Sequence, residues 1–348
     1  MKYILCQPAI KRFEWELEVC ITRLQKLGIR DIVLLFTKQD DRVPLYLQET
    51  YDVETHVYSD DRHDKSYIPS VKPYLWMRYL QENPSRENET YFYLDSDVLL
   101  REIPKVKPTK NKWIASACES YLSVAYIDSK DTSLLEDMCN VIGVDPELIR
   151  NNNPIGGAQW AIKHPSYEYW KKVYHDSITL YKLLDKSNTD IQKWTAEMWA
   201  QLWNVYHFGN DVKVPEEMSF SWPTDPIEKY DETKIFHNAG VVDDHQNLFF
   251  KGKYVNHTPF NDSLEHVNQD RASYEYVKAI KEVKNMAKSA KYLSNENWRD
   301  LDDDKEYEKD KPWPRPVNKK VSQERIDELL SDKNKAGRPM IRKVEEQG

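Results

Sequence analysis

Short apolar runs alternating with helical patterns set the rhythm of the first hundred residues. Tyr3 to Cys6 and Asp31-Ile32-Val33-Leu34-Leu35-Phe36 read as strands, and between them Phe13, Leu17, Cys20, Ile21 and Leu24 recur at helical spacing until Gly28 stops the helix. Leu45 to Glu49 suits a short helix, Val53 to Tyr58 a third strand, and Ser70 to Leu80 a helix entering the run Tyr91-Phe92-Tyr93-Leu94. This order predicts an α/β fold built on a mainly parallel sheet flanked by helices. Farther on, Trp113 to Ala117 and Tyr121 to Ile127 read as strands, Leu134 to Val141 as a helix, and Gln159 to Ile162 as a strand. Tyr167 to Leu184 and Ile191 to Tyr206 read as helices, and Lys234 to His237 as a last short strand.

The apolar run at Tyr91 stops at Leu94-Asp95-Ser96-Asp97-Val98. In an extended chain residues i and i+2 share a face, so the pattern points Asp95 and Asp97 into one crevice and Ser96 away from it. Two carboxylates that close repel unless a cation neutralises them, and a hard divalent ion with oxygen ligands suits them. Open α/β sheets bind ligands beyond the carboxyl ends of their strands. A turn after a strand is the plain alternative for these acids; Asp302-Asp303-Asp304, with no apolar strand before it, is assigned to solvent.

Further candidates gather along the chain. Lys72 and Arg78 precede the acid pair and are placed to contact a diphosphate, Arg as a bidentate fork and Lys as a point charge. The adjacent Gly156 and Gly157, in a chain with only 9 glycines, mark a close backbone approach to a ligand or a neighbouring strand. Such an approach is what a sugar-binding floor would need; the competing reading is a tight turn into the strand Gln159 to Ile162. Glu197, Gln201 and Asn204 fall on one stripe of a helix, a polar face that could line a site. His237 ends an apolar run, a fitting third ligand for Mn²⁺ (or Mg²⁺) beside two carboxylates, and Lys251 and Lys253 follow as cations for phosphate.

At 348 residues the chain can bury a full core, and 22 Tyr with 11 Trp suggest large mixed-polarity surfaces as well as aromatic packing. A net charge of -8 argues against a protein that coats nucleic acid over its whole surface. The four cysteines form no C-x-x-C pair, no apolar run reaches about 18 residues, and the start lacks a long apolar leader segment. The expectation is a cytoplasmic protein without a membrane span.

A strand ending in Leu94-Asp95-Ser96-Asp97-Val98, a downstream Gly-Gly-Ala-Gln segment, an acid-bearing helix and a late His-x-x-Gly together resemble the GT-A glycosyltransferases, most nearly glycosyltransferase family 8 and its relatives. The resemblance covers roughly residues 1 to 260. It implies a GT-A fold and transfer of a sugar from a nucleotide-diphosphate sugar to an acceptor hydroxyl, with retention of configuration. It implies Mn²⁺ on Asp95, Asp97 and His237, with the family arginine mapping onto Arg78. The donor-sugar acid maps onto Glu197, although the family usually has Asp-Gln where this chain has Glu197-Met198. Family members place a lysine three residues after the late glycine; here Val241-Val242-Asp243 follow, and Lys251 or Lys253 must serve.

Two rivals remain. A haloacid dehalogenase-type phosphatase would use Asp95 as nucleophile with Asp243-Asp244 near a Mg²⁺ ion, and an inactive nucleotide- or sugar-binding module would hold the donor without turning it over. The catalytic domain is assigned to 1–286 and a charged, partly disordered or helical tail to 287–348. Within the tail Pro312 to Pro316 reads as a linker, Ser322 to Leu330 as a helix, and Gly337-Arg338-Pro339 between cations resembles a DNA minor-groove hook. That last likeness raises a hydroxymethylated base in DNA as a possible acceptor.

Overall fold

The computed structural model describes residues 1–344 apart from 244, 288–290, 316, 318 and 320. Strand and helix alternate at first as the apolar pattern predicts. β1 (Lys2–Pro8), β2 (Ile32–Thr37) and β3 (Glu54–Tyr58) are joined by α1 (Lys11–Lys26) and α2 (Arg42–Tyr51), and α3 (Val71–Glu82) leads into β4 (Thr90–Tyr93). β5 (Val98–Leu100) and β6 (Lys112–Ala117) follow, then short helices α4 (Glu119–Leu122), α5 (Val124–Lys130), α6 (Leu134–Ile142) and α7 (Pro146–Asn152). β7 (Gly156–Lys163), α8 (Tyr167–Lys186), α9 (Ala196–His207) and β8 (Asp211–Lys213) complete the central layer. Its seven strands are ordered β3-β2-β1-β4-β7-β6-β8, and β7 alone runs against the rest. The molecule is therefore mixed α/β with a mostly parallel central sheet, as expected.

Both faces of that sheet are covered, which is why its inner strands read as continuous apolar runs. On one face α3, α8 and α9 pack around Trp76 and Trp170, whose rings stack 4.8 Å apart. On the other, Leu17, Cys20, Ile21 and Leu24 of α1 meet Leu5, Leu34 and Phe36. Each fully buried side chain of this size contributes about 1.5–3 kcal/mol, so the two layers fix the sheet firmly.

β5 does not belong to this sheet. With β9 (Phe220–Ser221) and β10 (Ile235–His237), which flank α10 (Ile227–Glu232), it forms a second, three-stranded sheet ordered β5-β10-β9. α11 (Ser273–Ala287) covers it, burying Tyr276, Val277 and Ile280 against Leu99, Phe236 and Trp15. Farther on, β11 (Tyr292–Ser294), β12 (Trp298–Asp300), β13 (Lys305–Tyr307), β14 (Pro312–Trp313), α12 (Gln323–Leu330) and β15 (Ile341–Lys343) surround a small core of Tyr307, Trp313, Leu329, Met340 and Ile341.

Three expectations are corrected. Tyr121 to Ile127 is not a strand but lies in α4 and α5, because Ser123 accepts the Tyr126 N–H at 3.2 Å and starts a helix there. Pro312 to Pro316 is not a linker where it is described: Pro312 and Trp313 form edge strand β14, and the buried Trp313 indole donates to Asp300 at 3.2 Å. Pro316 lies outside the described residues. Asp302 and Asp304 are exposed as expected, but Asp303 is held by Lys319 at 2.9 Å. The helix expected from Ser322 to Leu330 is present as α12. All four cysteines are free and buried. Among the described residues, no helix is long and apolar enough to cross a membrane.

Candidate active site

The two sheets meet at the end of β4. After Tyr93 the chain turns, with the Val98 N–H reaching back to the Asp95 carbonyl at 3.3 Å, and leaves as β5. Asp95 and Asp97 therefore share a crevice through a turn rather than through the i, i+2 geometry of an extended strand. Ser96 does point elsewhere: its hydroxyl donates to Glu16 of α1 at 2.8 Å, and the Arg12 guanidinium grips the same carboxylate at 3.0 Å.

Antiparallel pairing of β5 with β10 sets His237 opposite Val98, which places the imidazole beside Asp97. His237 Nε2 lies 3.3 Å from Asp97 Oδ1 and 3.9 Å from Asp95 Oδ2. The Asn238 N–H extends the pairing by donating to the Asp97 carbonyl at 2.9 Å. One ligand atom from each of Asp95, Asp97 and His237 lies within 4.8 Å of the others. The imidazole plane is fixed by Trp222, which stacks on it at 5.7 Å and 13°.

Two lysines neutralise the acids. Lys72, in the first turn of α3, holds Asp95 Oδ1 at 2.8 Å and stands 3.9 Å from Glu197 of α9. Lys251 contacts Asp97 Oδ2 from a turn after β10. Burial alone would raise the Asp97 carboxyl, but Lys251 and His237 outweigh it and hold the group far below the usual carboxylate range. Burial opposes the charge on Lys72, yet Asp95 and Glu197 keep that ammonium above its ordinary range, as Asp97 and Glu16 do for Lys251. Glu197 is the exception: burial pushes it up to about 7, and Lys72 offsets this only in part.

Of the residues singled out from sequence, Asp95, Asp97, His237, Lys72, Lys251 and Glu197 converge. Arg78 does not. It sits nearly two turns beyond Lys72 on α3, bonded to the Tyr74 hydroxyl at 2.8 Å and 3.4 Å from Asp61, so the cation beside Asp95 is Lys72. Lys253 is exposed, two residues past Lys251. Gln201 is buried one turn after Glu197, and its amide nitrogen has no hydrogen-bond partner.

Gly156 and Gly157 are buried and face the protein's own side chains. A Cβ on Gly156 would meet Val212 at 2.9 Å and Ala115 at 3.0 Å; one on Gly157 would meet Leu122 at 2.7 Å and Met198 at 2.8 Å. The pair thus makes a close approach to neighbouring elements from inside β7, not a tight turn ahead of a strand, and leaves room for Met198 and Leu202 of α9. Asp243 accepts the His245 N–H at 3.0 Å, and Asp244 lies outside the described residues. Arg338, the candidate DNA-hook arginine, is paired with Glu296 at 2.7 Å in the turn before β15.

No family model and no curated protein matches the chain. Among solved structures it is similar to the apo structure of the bifunctional glycosyltransferase WbbM, at 12% identity and TM-score 0.41, over 80% of this chain and 49% of that one. It thus spans about half the length of the WbbM chain. It is also similar to the galactosyltransferase LgtC solved with donor and acceptor sugar analogs, at 11% identity and TM-score 0.44, over 80% of this chain and 95% of that one. An active-site mutant of LgtC gives 11% identity and TM-score 0.43 over 80% of this chain and 94% of that one.

Sequence reasoning passed over Glu16, Gln159, Trp222 and Asn238. Glu16 had a signal: it falls on the flank of the apolar stripe of α1, where an acid has no packing reason to be. Lys72, which was singled out, carries a further signal: it is a cation in the first turn of α3, which holds no acid and where the helix dipole disfavours positive charge.

Proposed function

We propose that the protein is a metal-dependent GT-A glycosyltransferase that moves a sugar from a nucleotide-diphosphate sugar to an acceptor hydroxyl, with retention. The observation that carries this reading is the convergence of Asp95, Asp97 and His237 from a turn and a separate strand. Two carboxylates and an imidazole are a donor set suited to Mn²⁺ or Mg²⁺. Around one such ion, neighbouring donors lie about 3 Å apart, so the observed 3.3 Å and 3.9 Å separations from His237 need only small side-chain shifts. The residues present therefore fit the ion.

A bound divalent ion would supply Lewis-acid neutralisation of charge on a departing nucleoside diphosphate. The chain's own groups do the rest. Lys72 and Lys251, now spent on Asp95 and Asp97, become available to phosphate oxygens once those acids are otherwise neutralised. Glu197, buried and poised near neutrality, faces the reacting centre from the side of Lys72, and Gln201 is its companion on α9. Their place is consistent with orienting sugar hydroxyls. A phosphatase reading leaves the His237 convergence without a role.

The acceptor is open to assay. Arg338 of the Gly-Arg-Pro segment is paired with Glu296, and no contact in that turn identifies an acceptor. Purified protein with Mn²⁺ and a panel of nucleotide sugars should release nucleoside diphosphate, with hydroxymethylated DNA included among the acceptors. Asp97→Asn should lose Mn²⁺ binding and at least about 100-fold in turnover; a folded variant of normal activity would contradict the site. Phosphomonoester hydrolysis without any nucleotide sugar would favour the phosphatase instead.

A further inference from the structure

The register between β6 and β7 steps at one point: Ala115 faces Trp160 while Ser116 faces Gly157, so Ala158 and Gln159 have no partner of their own on β6. Ala158 takes a positive φ of 54° there, a conformation costly for any residue with a Cβ. Bulges of this kind beside active sites re-aim a side chain. The side chain re-aimed is that of Gln159, which is wholly buried and bridges Ser116 to His237. The Ser116 hydroxyl donates to Gln159 Oε1 at 2.7 Å, and Gln159 Nε2 donates to His237 Nδ1 at 3.2 Å.

That orientation has a consequence for the imidazole. An amide donor on Nδ1 leaves the ring proton of a neutral imidazole on Nε2, where it faces Asp97 Oδ1 at 3.3 Å. A ring in this state has no lone pair on Nε2 for a metal ion. Turning the Gln159 amide by half a rotation exchanges its two ends. The carbonyl then accepts from Nδ1–H, the NH₂ donates to the Ser116 oxygen, and Nε2 presents its lone pair to the acids. The Trp222 stack holds the ring plane in both states.

We propose that Gln159 is a positioning residue that selects the tautomer of His237, so that metal entry is coupled to rotation of one buried amide. The ring carries one proton before and after; it moves from Nε2 to Nδ1, and none is released overall. The inference rests on the metal-site reading of Asp95, Asp97 and His237.

The test uses the full chain with ¹⁵N-labelled histidine. In metal-free protein the His237 proton should reside on Nε2; saturating Mg²⁺ should transfer it to Nδ1, exchanging the two ring-nitrogen shifts. Gln159→Glu, whose carboxylate only accepts, should hold the proton on Nδ1 even without metal and keep Mn²⁺ affinity. Gln159→Leu should weaken Mn²⁺ binding, read by the electron paramagnetic resonance of free Mn²⁺, by roughly 10- to 100-fold. Mg²⁺ binding without the exchange, or an unaltered proton position in Gln159→Glu, overturns the role of Gln159 and spares the site. Absence of any Mn²⁺ binding by wild-type protein sinks both.

Discussion

Lys251→Met should move two affinities in opposite directions. Without metal, the Lys251 ammonium occupies Asp97, an acid the ion requires, so an incoming cation must compete with it. The Asp97 side chain is 6% exposed and that of Lys251 22%, which makes this a partly desolvated, charge-assisted contact and not a surface pair. Such a hydrogen bond is worth about 1.5–3 kcal/mol net, or roughly 10- to 100-fold in an equilibrium constant. Removing the ammonium while keeping the aliphatic stem should therefore tighten Mn²⁺ binding by that factor. Its cost is an uncompensated charge: Asp97 and Glu16 both lose their share of Lys251, so the metal-free variant should melt earlier and recover when Mn²⁺ is added.

With the metal in place, the same ammonium is expected on a phosphate oxygen. Nucleoside diphosphate affinity at saturating Mn²⁺ should then fall by a similar roughly 10- to 100-fold. Calorimetric titration with Mn²⁺ alone, and then with nucleoside diphosphate on the Mn²⁺-loaded protein, reads the two steps separately. If both affinities weaken together, Lys251 merely supports the fold. If neither changes, the contact with Asp97 is not one the metal has to break.

Two further outcomes follow from burial and packing. The native Glu197 carboxyl keeps its proton up to about 7, whereas the unfolded group ionises near 4.5, so the native state binds the extra proton between those values and stability falls as pH rises through that window, by about 3 kcal/mol. Glu197→Gln removes this loss, so denaturant titrations should show the variant gaining on wild type from pH 4.5 to pH 8; a constant difference would mean that Glu197 is not so perturbed. Gly156→Ala should destabilise by about 2–3 kcal/mol, because Ala115 and branched Val212 cannot yield, while Gly157→Ala should cost nearer 1 kcal/mol, since the ends of Met198 and Leu122 can move. Loss of activity with unchanged stability in either variant would restore the sugar-binding floor.

How far the sequence could be read depended on whether a signal was local. β1 and β2 announce themselves because both faces are buried, leaving uninterrupted Ile4-Leu5-Cys6 and Ile32 to Phe36. Asp95 and Asp97 were found for a geometric reason that does not hold, since the strand ends at Tyr93 and the acids ride a turn. Tyr121 to Ile127 misled because alternating bulk suits a strand, and the Ser123 cap that starts α5 carries more weight than the pattern. Trp313 misled in the opposite sense: prolines on either side suggested a linker, but the partner that buries the indole lies on another strand. Lys72 and Arg78 could not be told apart from sequence, and only the turn of α3 decides which of the two faces Asp95.

What stayed hidden is how separate segments converge. The turn after Leu94 is where the chain leaves one sheet for another, so groups on different layers face it at once: Lys72 from α3, Glu197 from α9, Glu16 from α1 and His237 from the second sheet. No local pattern records that β10 pairs with β5 in the register that sets His237 opposite Val98. A slip of that register by one residue would turn the imidazole to the other face and put Asn238 or Phe236 toward the acids. That register is held by Leu99 and Phe236 packed beneath α11 with Tyr276 and Trp15. The apolar residues of the second sheet thus decide whether two aspartates after β4 form a cation site or an ordinary turn, and their burial is as much a condition of the proposed chemistry as the ligands themselves.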